Sequence, residues 1–272
     1  MEKKRNIFFI CLLLICLFLV LTAILMIWDH FLPANKHNSG IYHEKEIEVG
    51  TKDTILGITE DYGQDYIDRI IFLGESTTYG LQSYGVLSNG KDTTQVWTGA
   101  TCKNGITVSS GTLSLSPAIG TTKIFYPDTR SAKTVSDALK AKKPEYLIIT
   151  LGLNNGASYY SEQEFKDCYR ILLNSINDSQ TDTRVILQSL FPVSKECSIK
   201  AYTPERLRLC NKWIYDIAQE YDLKYLNTTE VLEDDKGYLI ADYDNGGDGI
   251  HLNRAGLSTV IEYIKTHGYP KE

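Results

Sequence analysis

Two hydrophobic periods alternate along most of this chain. Arg69-Ile70-Ile71-Phe72-Leu73 is a short apolar run that ends in Gly74. Continuous runs of this length, closed by a glycine, suit strands buried on both faces. Glu145-Tyr146-Leu147-Ile148-Ile149-Thr150-Leu151 is the clearest of them and runs into Gly152. Arg184 to Phe191 is another, stopped by Pro192, and Leu223 to Asn227 is a short last one. Between these runs the apolar spacing becomes helical. Ser131 to Lys142 predicts a helix with Val135, Ala138 and Leu139 on one face. Ser161 and Glu164 form a capping-box pattern ahead of a helix to about Ile176, whose buried face holds Phe165, Cys168, Tyr169, Leu172 and Ile176. Thr203-Pro204 places an N-cap and a first helical proline before the stripe Leu207, Cys210, Ile214, Ile217 and Tyr221. A last helix is predicted from about Arg254 to His267, with Leu257, Val260, Ile261 and Ile264 inward. Residues 80 to 128 are rich in Gly, Ser and Thr and are the least readable stretch, with one strand expected at Gly111 to Leu115.

Strands alternating with helices imply an α/β fold with a parallel sheet covered on both faces. In open sheets of this kind the active site lies beyond the carboxyl ends of the strands. Ser76 and Asn154 both sit just past such ends, while Asp248 and His251 lie between the last strand and the last helix.

A different pattern opens the chain. Ile7 to Trp28 is an uncharged apolar run of 22 residues, preceded by Lys3, Lys4 and Arg5. That length can cross a bilayer core as a helix, and the basic flank places the N-terminus in the cytoplasm and the remainder outside. The run ends in Leu25-Met26-Ile27-Trp28. Those bulky residues do not suit signal-peptide cleavage. Large residues also precede Cys11 and Cys16, which argues against a lipoprotein-type site. The expected organisation is a cytoplasmic tip and signal anchor over 1–28, an extracytoplasmic stalk over 29–66, and one domain over 67–272. Ile55-Leu56-Gly57-Ile58 offers an alternative for the end of the stalk, as an edge strand of the domain.

Of the 272 residues, about 200 remain for the domain, enough for a full core without disulfide support. Net charge is −6, and residues after the anchor are more acidic still, which opposes nucleic-acid binding. Cys102, Cys168, Cys197 and Cys210 are even in number in a compartment that permits disulfides, and Cys197 with Cys210 is the favoured pair. The alternative for Cys168 and Cys210 is a small buried residue in a helix. No Cys-x-x-Cys or His-rich cluster suggests zinc.

Four separated segments carry candidate chemistry, one of them a glycine-bearing loop near Gly99. Gly74-Glu75-Ser76 can present a serine hydroxyl beside free backbone amides, although a plain helix cap is the simpler use. Asp248-Gly249-Ile250-His251 sets a carboxylate three residues before an imidazole, so that one ring nitrogen can be oriented and the other can face Ser76. The other four of the five histidines lie before the domain or at its end, which leaves His251 as the one plausible base. Asn154, after Gly152, can donate to an oxyanion or simply form a turn. Asn155 is expected to hold the loop by hydrogen bonds. Thr78 stands where a Gly-x-Ser-x-Gly elbow would need glycine.

Together these segments resemble the SGNH subgroup of the GDSL-type esterases and acyltransferases, over roughly residues 69 to 267. The resemblance implies a flavodoxin-like three-layer α/β/α sandwich. It implies Ser76 as nucleophile, His251 as general base and Asp248 as its orienting partner, with no metal or organic cofactor. The oxyanion donors it implies are the Ser76 amide, the Asn154 side chain and a second-block glycine, for which Gly99 is the choice and Gly105 and Gly111 the rivals. Two departures stand out. Gly-Asp-Ser reads Gly-Glu-Ser, so Glu75 fills a loop-supporting position, and Gly-x-Asn-Asp reads Gly-Leu-Asn-Asn. The expected function is a membrane-anchored, extracytoplasmic serine esterase removing acyl groups, acetyl first, from carbohydrate or small ester substrates. The alternatives are an O-acetyltransferase acting on envelope glycans, which needs a separate membrane protein to deliver its acyl donor, and a non-catalytic glycan-binding protein.

Overall fold

The computed structural model describes residues 54–270. The anchor segment and most of the stalk lie outside them. Among the described residues no helix is long and apolar enough to cross a membrane.

Helix α1 (Gly63–Ile67) leads into β1 (Ile70–Gly74) and α2 (Ser76–Ser83). β2 (Val96–Trp97), β3 (Ala100–Lys103), β4 (Ile106–Ser109), β5 (Ile124–Tyr126) and β6 (Ser131–Lys133) follow. Then come α3 (Val135–Lys142), β7 (Tyr146–Thr150), α4 (Glu162–Asn177), β8 (Arg184–Gln188), α5 (Pro204–Glu220), β9 (Lys224–Leu226), α6 (Thr229–Leu232) and α7 (Arg254–Thr266). The central sheet runs β2-β1-β7-β8-β9, and every neighbouring pair in it is parallel. Counted along the chain, that is strand order 2-1-3-4-5, as in flavodoxin-like doubly wound sheets.

Strand residues alternate between two apolar cores, as a two-residue period demands. Ile71, Leu73, Leu147, Ile149 and Leu187 pack in one core with α3, α4 and α5. Ile70, Phe72, Ile148, Ile186 and Leu226 pack in the other with α1, α2 and α7. Helices therefore cover both faces, which is why the strands read as unbroken apolar runs. The register Gly74↔Thr150 brings β1 and β7 to an end side by side. Everything that follows them emerges at one edge.

Local signals that carry their own geometry set several boundaries. The Ser161–Glu164 capping box is formed, and Thr203 accepts from the Arg206 amide with Pro204 at the first helical position. Other expectations need correction. The helix expected from Ser131 starts at Val135, because the Thr134 side chain caps the Asp137 amide. Ser131–Lys133 instead pairs antiparallel with Ile124–Tyr126. Gly111 to Leu115 is not a strand. Gly111 takes a left-handed φ of 73°, and the Ser109 and Ser110 hydroxyls bond to the Gly111 amide and the Thr112 carbonyl in place of a ladder. Residues 54–56 lie along β9 in parallel, with the Tyr225 amide on the Thr54 carbonyl and the Leu56 amide on the Tyr225 carbonyl, both at 2.8 Å. The folded unit thus takes in residues assigned above to the stalk.

Cys197 and Cys210 are not bonded: Cys102, Cys168, Cys197 and Cys210 are all free thiols. Cys168 and Cys210 serve as small buried residues between α4, α5 and the sheet, and burial pushes the Cys210 thiol up to about 11. Alkylation of the unfolded protein without reductant is therefore expected to modify all four, and peptide mapping would expose any disulfide-linked pair.

Candidate active site

The ends of β1 and β7 and the turn before α7 bring the four segments together. Glu75 is extended (φ −96°, ψ −160°) and N-caps α2, so Ser76 is the first residue of that helix. The opening amides of a helix have no intrahelical acceptor, and the dipole there favours negative charge. His251 Nε2 lies 2.8 Å from Ser76 Oγ, across 175 residues of sequence. His251 Nδ1 lies 2.6 Å from Asp248 Oδ2. The other oxygen of Asp248 accepts from the Ile250 amide at 2.9 Å and the His251 amide at 3.1 Å. Partial burial pushes the Asp248 carboxyl up. The two amides and the imidazole outweigh that and hold it below the usual carboxylate range. An anion on Nδ1 fixes the tautomer whose Nε2 can take the serine proton.

The turn that carries this pair is tightly specified. Gly249 has a φ of 72°, and a side chain there would meet Ser194 Oγ at 2.5 Å and the Cys197 nitrogen at 2.8 Å. Asn253 closes the turn by accepting from the Gly256 amide and donating to the carbonyls of Asp242 and Asp244.

Asn154 is placed by a contact from β1. The buried Glu75 carboxylate accepts the Leu153 amide at 2.8 Å and the Asn154 amide at 2.7 Å. Desolvation pushes Glu75 up to about 7, against the amides of Asn154, Leu153 and Gly152, which favour the ionised form. Arg206 grips the far end of the same loop, donating to the carbonyls of Gly156, Ala157 and Tyr160. Asn155 bends the loop with a φ of 66° and a ψ of −55°, and its carbonyl accepts the Ser158 amide.

Gly99 does not fit the donor role. Its N–H is already given to the Thr112 carbonyl at 2.5 Å. Of the rivals, Gly111 gives its amide to Ser109 Oγ at 2.9 Å, and Gly105 sits in the turn between β3 and β4. Beside Asn154 stands Thr112 instead, whose Oγ1 accepts from Asn154 Nδ2 at 3.0 Å. Neither Arg206 nor Thr112 has a sequence signal that singles it out. Among the described residues no group of three or more His, Cys, Asp or Glu is placed to hold a metal ion.

A groove of about 270 Å³ opens beside Ser76 and His251, walled by Tyr79, Tyr84, Ser83 and Asn245. This arrangement can activate a serine hydroxyl next to an array of hydrogen-bond donors, which is the equipment for acyl transfer.

Residues 72–257 match the family model described as "GDSL-like Lipase/Acylhydrolase family". No curated protein sequence matches the chain. Among solved structures, a Streptococcus pneumoniae protein provisionally described as a platelet activating factor is similar, with 19% identity and a TM-score of 0.51 over 72% of this chain and 82% of that one. A GDSL-like lipase from Bacteroides thetaiotaomicron aligns with 15% identity and a TM-score of 0.43, covering 73% and 87%. A carbohydrate acetylesterase from Sinorhizobium meliloti aligns with 14% identity and a TM-score of 0.38, covering 48% and 63%. The first of these shares the fold of this chain.

Glu75 makes stability depend on pH with a definite sign. Its ordinary value is 4.5 and its folded value about 7, so between them the native state keeps a proton that the unfolded chain has released. The stability it contributes is complete below the lower value and is lost as pH rises through the upper one, by roughly 3 kcal/mol. Asp248 has the opposite sign and acts only below its ordinary 3.8, outside this window. Urea unfolding at pH 5 and pH 8 should show wild type losing that much more than Glu75→Gln. Equal losses would mean that Glu75 titrates as an ordinary carboxyl.

Proposed function

The chain belongs to the GDSL-like lipase/acylhydrolase family, and on that premise we propose that it is a serine esterase. The observation that carries this reading is the bonded series Ser76 Oγ, His251 Nε2, His251 Nδ1 and Asp248 Oδ2, at 2.8 and 2.6 Å.

Ser76 Oγ attacks the ester carbonyl while His251 Nε2 accepts its proton, and Asp248 stabilises the imidazolium that forms. The Ser76 amide and the Asn154 side chain donate to the oxyanion. Collapse of the intermediate expels the alcohol, which takes the proton back from His251 Nε2 and leaves an acyl-serine. Water then attacks the acyl-serine carbonyl as His251 Nε2 takes its proton; the bond to Ser76 Oγ breaks, Ser76 recovers that proton from His251, and the carboxylic acid is released. Hydrolysis is the first reading because water is always at hand, whereas a transferase outside the membrane needs an acyl donor delivered by a separate protein; the proton-handling side is open to solvent. The His251 and Asp248 side chains are 32% and 45% exposed.

The substrate reading is a short acyl group, acetyl first, on a carbohydrate or small alcohol. Its support is the size and lining of the groove beside Ser76: about 270 Å³, with two tyrosine rings and the polar side chains of Ser83 and Asn245. A long acyl chain would want a larger apolar tunnel, whereas hydroxyls and ring faces suit a sugar. The apolar run Ile7 to Trp28 supports placing the enzyme on the outer side of a cell membrane, near acylated envelope glycans.

Acetate release from 4-nitrophenyl acetate by the full-length protein in detergent tests this reading. Ser76→Ala and His251→Ala should each lower turnover by about 10⁴-fold or more, and Asn154→Ala by about 10²–10³-fold. Glu75→Asp, which keeps the carboxylate, should cost far less. A fluorophosphonate should label wild type and not Ser76→Ala. Undiminished turnover in Ser76→Ala would end the assignment. An acceptor oligosaccharide that diverts most acetyl from water would convert the reading to transferase.

A further inference from the structure

Because the Gly99 amide is already engaged, what stands beside Asn154 is set by the contacts of Thr112. Gly99 approaches Thr112 so closely that a side chain on Gly99 would collide with the Thr112 carbonyl. Gly99 gives its amide to that carbonyl, and Ser110 Oγ donates to it as well, at 2.8 Å. Ser110 also reaches the Gly99 carbonyl, at 2.8 Å. Ser109 Oγ takes the Gly111 amide and lies 2.6 Å from Thr98 Oγ1. The left-handed Gly111 packs against the Tyr79 ring of the helix that begins with Ser76, where an added Cβ would be 3.3 Å from it. A short, hydroxyl-stitched turn therefore holds the Thr112 backbone still, and the Thr112 side chain reaches Asn154.

We propose that Thr112 is a positioning residue for the oxyanion donor: its Oγ1 engages one hydrogen of Asn154 Nδ2 and so holds the amide plane with the second hydrogen left for substrate. The proposal rests on the serine-esterase reading, in which Asn154 donates to the oxyanion. The physical need is plain. A side-chain amide rotates about its own torsion with a broad, shallow preference, unlike a backbone amide. A donor helps the transition state only if it is already aimed. The loop fixes the Asn154 backbone through Glu75, but that bond does not orient the side chain. Thr112 supplies the missing restraint, from a segment 42 residues away. Gly99 keeps a part in the site through its close approach to the turn rather than through its own amide.

Thr112→Val keeps the shape and removes the hydroxyl, and Thr112→Ser keeps the hydroxyl. With full-length protein and 4-nitrophenyl acetate, Thr112→Val should lower kcat about ten-fold with KM within two-fold, and Thr112→Ser should restore most of the loss. In an Asn154→Ala background, Thr112→Val should cost less than two-fold, because the group it orients is gone. Fluorophosphonate labelling of Ser76 should slow in parallel with kcat. Three results overturn the assignment: wild-type kcat in Thr112→Val, no rescue by serine, or an undiminished ten-fold loss on top of Asn154→Ala. Should Thr112→Val fail to fold, Thr112→Ser carries the test alone, and a ten-fold loss there counts against the proposal. Full turnover in Ser76→Ala would instead remove the serine-esterase reading, and Thr112 would fall with it.

Discussion

A buried carboxyl group ties two neighbouring strands of the sheet, β1 and β7, together at the edge where the candidate site lies. Glu75 follows β1 directly and accepts the amides of the loop that follows β7. Parallel pairing brings Gly74 and Thr150 level, but it says nothing about the chain beyond them. Without an acceptor, the amides of Gly152, Leu153 and Asn154 would be left inside the protein with no partner, at a cost of about 1–3 kcal/mol each. One side chain satisfies them together and sets the distance between the Ser76 backbone and the Asn154 backbone. Aspartate is a methylene shorter, so a glutamate here implies a slightly wider gap or a deeper reach for the same contact.

The loop after β7 is restrained at both ends, by the Glu75 carboxyl group and the Arg206 guanidinium. Glu75 collects its amides, and the Arg206 guanidinium collects the carbonyls of Gly156, Ala157 and Tyr160. Tyr202 adds a hydrogen bond to the Leu153 carbonyl at 2.9 Å. Gly152 and Gly156 admit the Phe165 ring, which a Cβ at either would meet at 2.6 and 2.7 Å. Asn155, at a positive φ, is the bend that lets both side chains act on one short loop. Such a turn is unstable by itself, and the α4–α5 core beneath it supplies the support.

Sequence separation explains how much of this could be read in advance. Asp248 and His251 are three residues apart, and the turn between them is local, so their pairing was legible. The capping box at Ser161 and the cap at Thr203 were legible for the same reason. Strands β1, β7 and β8 announced themselves through burial on two faces, which leaves apolar runs in the sequence, whereas β9 is short and interrupted by Lys224. β2 has two residues and no period to detect. The region around it is held by hydroxyl-to-backbone bonds among Thr98, Ser109, Ser110 and Thr112, and such bonds leave a composition rather than a pattern. Gly99 was singled out as a glycine near the right place. Its need for glycine is real, but it comes from the Thr112 carbonyl and not from an oxyanion.

The two halves of the site are built to different standards. The donor half is assembled from contacts 42 to 79 residues apart and is anchored by the buried Glu75 at the end of β1. The proton-handling half is a short turn on the surface, fixed by Gly249, Asn253 and its own amides. Charge stabilisation in a transition state needs fixed dipoles shielded from water, because reorienting them during the reaction would consume the benefit. A general base passes the proton it takes to a leaving group, so it needs an oriented ring and an accessible nitrogen rather than deep burial. The burial of Glu75 suits the first requirement and the exposure of Asp248 the second. The two carboxylates are accordingly displaced in opposite directions, Glu75 upward by desolvation and Asp248 downward by the donors that outweigh it.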